Sequence, residues 1–261
     1  MHETAARDFG DVTEVPGLPV TRVQLARAYH RYEVARRHAG GKDVLEVACG
    51  TGQGLGYLAR EARSVVGGDY TASNLVAARR TYQGRLPLVQ LDAQALPFGR
   101  AAFDVVLVLE ALYYFPDAEG AVAECVRVLR PGGRLVVSSV NPAWPDFGRS
   151  IRSTRYFDSR ELADLLGVDG LGVQVFGAFA ESSGPVAAAR SLLRRTANRL
   201  GLVPGSLRAK AALKRFFYGP LQKGPAELDP AVVTGEPLDP VGPGVRDERH
   251  SILYAIGTLH G

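Results

Sequence analysis

Three stretches of the sequence place small residues and acids where they could bind a nucleotide. The first is VLEVACGTGQG, over residues 44–54, in which an apolar run leads into a glycine-rich loop. Such loops let the backbone approach a ligand, and the N–H groups of a following helix can point at it. The other two are Asp69 and Asp92, each at the end of a short apolar run. A carboxylate there suits ribose hydroxyls, and Asp92 beside the Ala93 N–H could meet an adenine edge.

The spacing of the glycines argues against a dinucleotide. A loop that binds NAD follows the pattern G-x-G-x-x-G. Here Gly50 and Gly52 are followed by Leu55, with glycines at 54 and 56 instead. We therefore expect a nucleotide ligand other than NAD.

The elements that must position these residues alternate between short apolar runs and amphipathic ones. The clearest helix is predicted over 118–130, with Asp117 as its N-cap and Pro131 after its end. This alternation predicts an α/β fold: a doubly wound, Rossmann-like sheet of seven strands, mostly parallel, with a helical insertion before the last strand. Ligands of such sheets bind at the carboxyl ends of the strands. The predicted strands are 43–48, 64–69, 87–92, 103–110, 133–140, 172–179 and 251–259.

Length and composition fit a single domain over residues 1–261. The chain is 46% hydrophobic and 22% charged, which is ordinary for a globular protein. No apolar run is long enough to span a bilayer, and the N-terminus lacks a signal-peptide pattern, so we expect a cytoplasmic protein. Two cysteines, Cys49 and Cys125, provide neither a disulfide framework nor metal-ligand spacing, so no metal is expected.

A basic insertion precedes the last predicted strand. It covers about residues 180–245, and helices are predicted over 186–201 and 207–219. Residues 182–223 contain nine Lys or Arg residues and no acid. This charge fits a solvated face, a phosphate-bearing acceptor, or peripheral membrane contact through 186–223. Nucleic acid is not expected, because no nucleic-acid-binding module is recognisable.

Taken in order, the motifs resemble the class I S-adenosylmethionine-dependent methyltransferases of the small-molecule type. The resemblance covers about residues 40–142, and it includes EALYYFPD at 110–117 and VLRPGGRLVV at 128–137. The most similar members carry loops of the type L-E/D-V-G/A-C-G-T-G, and Ala48 stands where their first glycine often lies. The resemblance implies S-adenosylmethionine as cofactor and S-adenosylhomocysteine as product.

The resemblance also implies a role for individual residues. Backbone at the glycine loop would pass the methionine part of the cofactor, Asp69 would hold the ribose, and Tyr70 would lie against the adenine. A carbonyl at Leu109 or Glu110 would receive the ammonium group. The N-terminal helix, 20–40, would act as a lid that offers a tyrosine to the carboxylate, with Arg31 as the competing candidate. The predicted cofactor-binding set is Tyr29, Tyr32, Glu46, Ala48, Cys49, Gly50, Gly52, Asp69, Tyr70, Asp92, Ala93, Leu109 and Glu110.

Two members of this set have open roles. Glu46 either contacts the ligand or braces the loop. Cys49 is interpreted as a small residue that fits the turn, although a helix N-terminus could lower its pKa and make it reactive.

Methyl transfer to an alcohol profits from a base. The candidates are Tyr113 and Tyr114 after the fourth strand of the parallel set, and His30 on the N-terminal helix; His250 is a further alternative. A tyrosine pKa near 10 makes a poor base, so both tyrosines could instead wall the pocket or face the sulfonium cation. The surface-histidine interpretation stays open for both histidines.

Acceptor contacts are expected from the loop after the fifth strand, at Trp144, Arg155 and Tyr156. The expected reaction is O-methylation of a small molecule, such as a sugar, a glycoside or a specialised metabolite, and the acceptor could bear phosphate. The alternatives are N- or C-methylation, or a non-catalytic regulator that binds the cofactor.

Overall fold

Residues 8–167, 170–180 and 221–260 are described by a computed structural model of the protein. Its helices are α1 (Arg22–Ala39), α2 (Leu55–Ala59), α3 (Ala72–Tyr82), α4 (Ala118–Val128) and α5 (Ser159–Leu166), with a 3-10 turn at Leu112–Tyr114. Its strands are β1 (Pro19–Val20), β2 (Asp43–Val47), β3 (Ser64–Asp69), β4 (Leu88–Gln90), β5 (Phe103–Leu109), β6 (Leu129–Val140), β7 (Leu171–Ala180), β8 (Gln222–Lys223), β9 (Asp239–Val241) and β10 (His250–Leu259).

The central sheet has the strand order β4-β3-β2-β5-β6-β10-β7-β9. Strands β2 to β6 pair in parallel, and β10 runs antiparallel between β6 and β7. The chain enters at β2, builds outward through β3 and β4, then returns to build β5 and β6 on the other side. This reversal creates a switch point between β2 and β5, where ligands of such sheets bind. The predicted α/β fold is confirmed.

One detail of the predicted sheet is wrong, because the sheet has eight strands among the described residues and not seven. The additional strand, β9, lies in the Pro/Gly-rich stretch 224–244, where the sequence predicts no strand. It forms the edge of the sheet and pairs antiparallel with β7, at Val175 and Gly177. An edge strand tolerates a proline such as Pro240, because one of its sides makes no ladder hydrogen bonds.

The central strands are continuous apolar runs because helices cover both of their faces. Six of the seven β5 residues, Phe103 and Val105–Leu109, are buried hydrophobic residues. One core cluster packs α4 and α5 against the sheet, and the other packs α1, α2 and α3. The sheet is thereby held rigid at its centre, where the loops after β2 and β5 emerge.

Helix ends follow local capping chemistry. Thr21 and Gln24 form a capping box at the start of α1, which lies within the predicted 20–40 segment. Asp117 caps α4, as predicted, by accepting a hydrogen bond from the Gly120 N–H. Asp158 caps α5 through the N–H groups of its first turn. The frame around the site is therefore specified locally.

Most of the basic insertion, including both of its predicted helices, falls outside the described residues. Lys223 is described and lies in β8, which pairs with β1. Within the described ranges, no helix is both long and apolar enough to cross a membrane.

Candidate functional site

The glycine loop after β2 crosses the carboxyl end of the sheet in a left-handed backbone conformation. Gly50 and Gly52 have φ of 58° and 75°, and Ala48 has φ of 60°. This conformation costs a residue with a Cβ atom roughly 1–2 kcal/mol. The backbone of Ala48 is therefore strained, but alanine remains compatible with the turn.

Glycines at every second position of this loop make room for four different parts of the chain. Tyr82 of α3 locks the loop further, because its hydroxyl donates to the Gly52 carbonyl at 2.6 Å and accepts from the Gly56 N–H at 2.9 Å. A Cβ atom would meet the side chain of Thr13 at position 50, Ala78 at 52, Tyr32 at 54 and Glu227 at 56. These glycines therefore allow covering elements to approach as well as a ligand.

Asp69, at the end of β3, ties the loop to the sheet. Its Oδ2 accepts from the Gly50 N–H at 2.8 Å, and its Oδ1 accepts from the Thr71 N–H at 2.8 Å and the Asn74 amide at 3.2 Å. Burial raises its pKa, although these hydrogen bonds oppose the shift. A carboxylate offers about four acceptor positions, so about one remains for a ligand.

A cavity of about 480 Å³ opens beside this loop. Its first end is formed by Asp69 and Tyr70 after β3 and by Asp92 and Ala93 after β4. The Oδ1 of Asp92 accepts from the Gln94 N–H at 2.9 Å. We call this the adenosine end, because it contains the residues predicted to hold ribose and adenine.

The opposite end of the cavity, here the methionine end, contains two glutamates, of which Glu46 is buried and Glu110 is half-buried. Glu46 accepts a hydrogen bond from the Tyr32 hydroxyl at 2.6 Å, and burial raises its pKa to about 7. Glu110 has φ of 55° and accepts from the Tyr113 hydroxyl at 3.2 Å. Burial raises the pKa of Glu110 and Arg31 opposes the shift. Both glutamates line the cavity, so Glu46 both braces the helix and reaches the ligand space.

The N-terminal segment, residues 8–14, contributes four residues to the cavity lining, which the sequence did not predict: Phe9, Val12, Thr13 and Glu14. The Phe9 N–H donates to the Thr71 hydroxyl at 3.1 Å, and the Thr51 hydroxyl donates to the Glu14 carbonyl at 2.9 Å. The Glu14 carboxylate forms an ion pair with Arg31. The segment is polar and lacks periodicity, and its two cavity-lining apolar residues, Phe9 and Val12, are too few to signal a covering element.

Two predicted residues on α1 face away from the cavity, so their assignments are corrected. The Tyr29 hydroxyl accepts from the Asp229 N–H at 3.2 Å, and Tyr29 is not among the cavity-lining residues. The His30 Nδ1 lies 2.8 Å from the Tyr254 hydroxyl, and burial lowers the pKa of His30. Each residue advances the helix by about 100°, so these two side chains pack against later parts of the chain.

His250 is held by two carboxylates outside the cavity. Its Nδ1 lies 3.0 Å from Asp247, and its Nε2 lies 3.0 Å from Asp239. This arrangement connects the start of β10 to β9 and gives no route to a cavity ligand.

The three predicted acceptor contacts lie outside the cavity lining. Tyr156 stacks behind Tyr113, with ring centroids 4.6 Å apart. Trp144 lies against the Arg27 guanidinium at 5.6 Å. Arg155 is on the surface, where it forms ion pairs with Glu119 and Glu161. Tyr156 therefore contacts a wall of the cavity from behind, whereas these contacts of Trp144 and Arg155 are with residues outside the cavity lining.

Tyr113, Tyr114 and Cys49 all line the cavity, yet each holds its proton at neutral pH. Burial raises the pKa of both tyrosines, and it raises the pKa of the Cys49 thiol well above its ordinary value. The suggestion that a helix N-terminus activates Cys49 is therefore wrong. The tyrosines act as walls or hydrogen-bond donors.

Comparison with known proteins identifies this arrangement. Residues 45–137 match a family model described as a methyltransferase domain. The family match, the sequence relatives and the fold together support a class I S-adenosylmethionine-dependent methyltransferase. A structure of such a methyltransferase from Thermotoga maritima shares the fold, with a TM-score of 0.57 and 16% identity, over 91% of this chain and 93% of that one.

Two sequence relatives of this chain come from Mycolicibacterium smegmatis. One, named as a probable S-adenosylmethionine-dependent methyltransferase, is 33% identical over 61% of this chain and 63% of its own length. The other, a fatty-acid O-methyltransferase, is 38% identical over 47% of this chain and 46% of its own length. The matches thus span between about half and two thirds of these relatives.

Proposed function

We propose that the protein transfers a methyl group from S-adenosylmethionine to an oxygen atom of a small-molecule acceptor. The observation that carries this proposal is one cavity lined by Asp69 and Asp92 at one end and by Arg31 and Glu110 at the other. The cofactor joins a nucleoside to an amino acid. The two aspartates offer hydrogen-bond acceptors to the nucleoside, and Arg31 and Glu110 offer opposite charges to the amino acid. When bound, the cofactor supplies an activated methyl group.

Each part of the cavity has a proposed partner on the cofactor. The remaining acceptor position of Asp69 takes a ribose hydroxyl, Tyr70 lies against the adenine, and Asp92 with the Ala93 N–H meets its edge. At the methionine end, the carbonyl of Leu109 or Glu110 receives the ammonium group, and the carboxylate needs a cation. Tyr29 does not line the cavity. Tyr32 does, but its hydroxyl already donates to Glu46. This favours Arg31, which also lines the cavity, as that cation.

Glu110 is the proposed proton acceptor for a hydroxyl-bearing acceptor molecule. Tyr113 and Tyr114 hold their protons, and His30 lies outside the cavity. Glu46 is bonded to Tyr32 and Asp69 to the glycine loop, whereas Glu110 lies beside the tyrosines at the methionine end. Burial raises the pKa of Glu110, which makes its carboxylate a stronger base.

The class of acceptor remains part of the proposal. The relative that methylates fatty acids favours an oxygen atom on a lipid-like molecule, while our sequence reasoning favours a sugar, a glycoside or a specialised metabolite. N- or C-methylation is the runner-up, and a regulator that binds the cofactor without turnover is the alternative from another class.

Two measurements test the proposal. Calorimetry with S-adenosylhomocysteine and NADH should show binding of the first and not the second; the reverse result overturns it. Incubation with methyl-labelled S-adenosylmethionine and a panel of long-chain alcohols, fatty acids, alkyl glycosides and amines should label an oxygen-bearing acceptor. Labelling of amines alone favours the runner-up. If an acceptor is labelled, Glu110→Gln should lower kcat at least tenfold.

A further inference from the structure

Arg31 is the one Lys or Arg side chain that lines the cavity in the part of the chain that the structure describes. Its partner is the carboxylate of Glu14, which arrives from the N-terminal segment. The cavity is otherwise rich in acids. Its lining carboxylates are Glu14, Glu46, Asp69, Asp92 and Glu110.

The two partners differ in how easily they can leave the pair. The Arg31 side chain is only 14% exposed, whereas the Glu14 side chain is 39% exposed. The Glu14 backbone is fixed separately, since its carbonyl accepts from the Thr51 hydroxyl. The carboxylate can therefore turn towards water by side-chain rotation, while the segment stays on the glycine loop.

A ligand carboxylate that enters this cavity needs a cation, because a buried carboxylate without a partner is costly. Placing it on Arg31 while Glu14 stays there would bring two carboxylates together at one guanidinium, close to the acids Glu46 and Glu110. Like charges at short range in a partly desolvated site repel. The ligand carboxylate and the Glu14 carboxylate therefore compete for Arg31.

We propose that Glu14 is a positioning residue that competes with the cofactor's carboxylate for Arg31 and so limits how tightly the site holds cofactor and product. This proposal rests on the proposed function. In the ligand-free protein Glu14 neutralises a buried cation; when the cofactor binds, the Glu14 side chain yields its place. Because S-adenosylhomocysteine carries the same carboxylate as the cofactor, Glu14 competes with it in the same way, and its return to Arg31 accompanies release of the product.

The test replaces Glu14 and measures two quantities that should move in opposite directions. In Glu14→Gln, S-adenosylhomocysteine should bind about 3- to 10-fold more tightly by calorimetry, because its carboxylate meets an uncontested guanidinium. The Tm of the ligand-free variant should fall, because Arg31 loses its counter-ion. A purely structural role of Glu14 would lower both the Tm and the affinity.

Asp11 provides a matched control on the same segment. It pairs with Arg152 at the surface, with both side chains more than 40% exposed. Asp11→Asn should therefore leave S-adenosylhomocysteine affinity within twofold. A second variant, Glu14→Asp, keeps the charge but shortens the reach to Arg31, and it should also bind the product more tightly than the wild type.

A double-mutant cycle locates the effect. In an Arg31→Gln background, Glu14→Gln should no longer increase affinity. The proposal is overturned if the wild type binds S-adenosylhomocysteine and Glu14→Gln binds it equally or more weakly. If the wild type itself does not bind S-adenosylhomocysteine, the proposed function fails first, so the two failures are distinguishable.

Discussion

The adenosine end and the methionine end of the cavity come from different kinds of chain segment. At the adenosine end, Asp69 and Asp92 follow neighbouring parallel strands, so the sheet alone brings them together. At the methionine end, Glu14 and Tyr32 belong to elements that lie over the sheet. In the proposed complex, strand ends would therefore specify where the nucleoside lies, whereas the elements packed over the sheet would determine how tightly the rest of the cofactor is held.

The largest expected effect is at the adenosine end. Asp69→Ala removes the acceptor for Gly50 and Thr71 as well as the proposed ribose partner. We expect S-adenosylhomocysteine to bind about 3 kcal/mol more weakly, over a hundredfold. Adenosine alone should lose a similar factor, since it occupies the same end. Calorimetry with both ligands checks this, and an adenosine affinity that stays at the wild-type value would show that the ribose lies elsewhere.

A pH experiment addresses the methionine end through Glu46. Its pKa is raised to about 7 in the folded protein from an ordinary value near 4.5. The folded state therefore holds a proton that the unfolded state releases, and the contribution of Glu46 to stability falls as the pH rises from about 4.5 to 7. Between pH 5 and pH 8 this amounts to roughly 2–3 kcal/mol.

Glu46→Gln keeps an acceptor for the Tyr32 hydroxyl and removes the titration. The difference in unfolding free energy between variant and wild type, measured in urea, should shift in favour of the variant as the pH rises. Parallel stability curves for the two proteins from pH 5 to pH 8 would contradict the assignment.

Tyr32, on the helix that lies over the sheet, can also be displaced without changing the residues proposed to contact the nucleoside. In Gly54→Ala the new methyl group would collide with the Tyr32 ring, which should cost about 2 kcal/mol of stability. The product should bind several-fold more weakly, while adenosine affinity stays within twofold. Gly40→Ala is the control, because φ is −54° there and no heavy atom lies within 4 Å of the added Cβ. Equal losses of affinity for adenosine and for the product would contradict the distinction between the two ends of the cavity.

The smallest effect is expected at Ala48. Glycine at this position relieves a left-handed alanine but gives the unfolded chain more freedom, so the net gain in stability should be below about 1 kcal/mol. Affinity for S-adenosylhomocysteine should stay within twofold. A loss of stability on Ala48→Gly, seen by thermal unfolding, would show that the turn does not strain this residue.

The sequence was sufficient to predict the features that depend on a single element or on the ends of neighbouring strands. The fold, the glycine loop and the placement of Asp69, Tyr70, Asp92 and Ala93 are of this kind. It failed where a side chain could point to either side of a helix, as for Tyr29 and His30. It also failed for the N-terminal segment, whose place depends on contacts with residues such as Thr71 and Thr51 far along the chain.

The four glycines of the loop also bear on how the protein folds. Each is packed by a different neighbour, at positions 13, 32, 78 and 227, so the loop is completed by contacts separated by up to about 170 residues. Contacts between residues far apart in the sequence form late, because closing the intervening chain costs entropy before the contact stabilises the fold. We therefore expect the binding site to be the last part of the molecule to mature. In a refolding experiment, capture of S-adenosylhomocysteine should lag behind the recovery of helical circular dichroism.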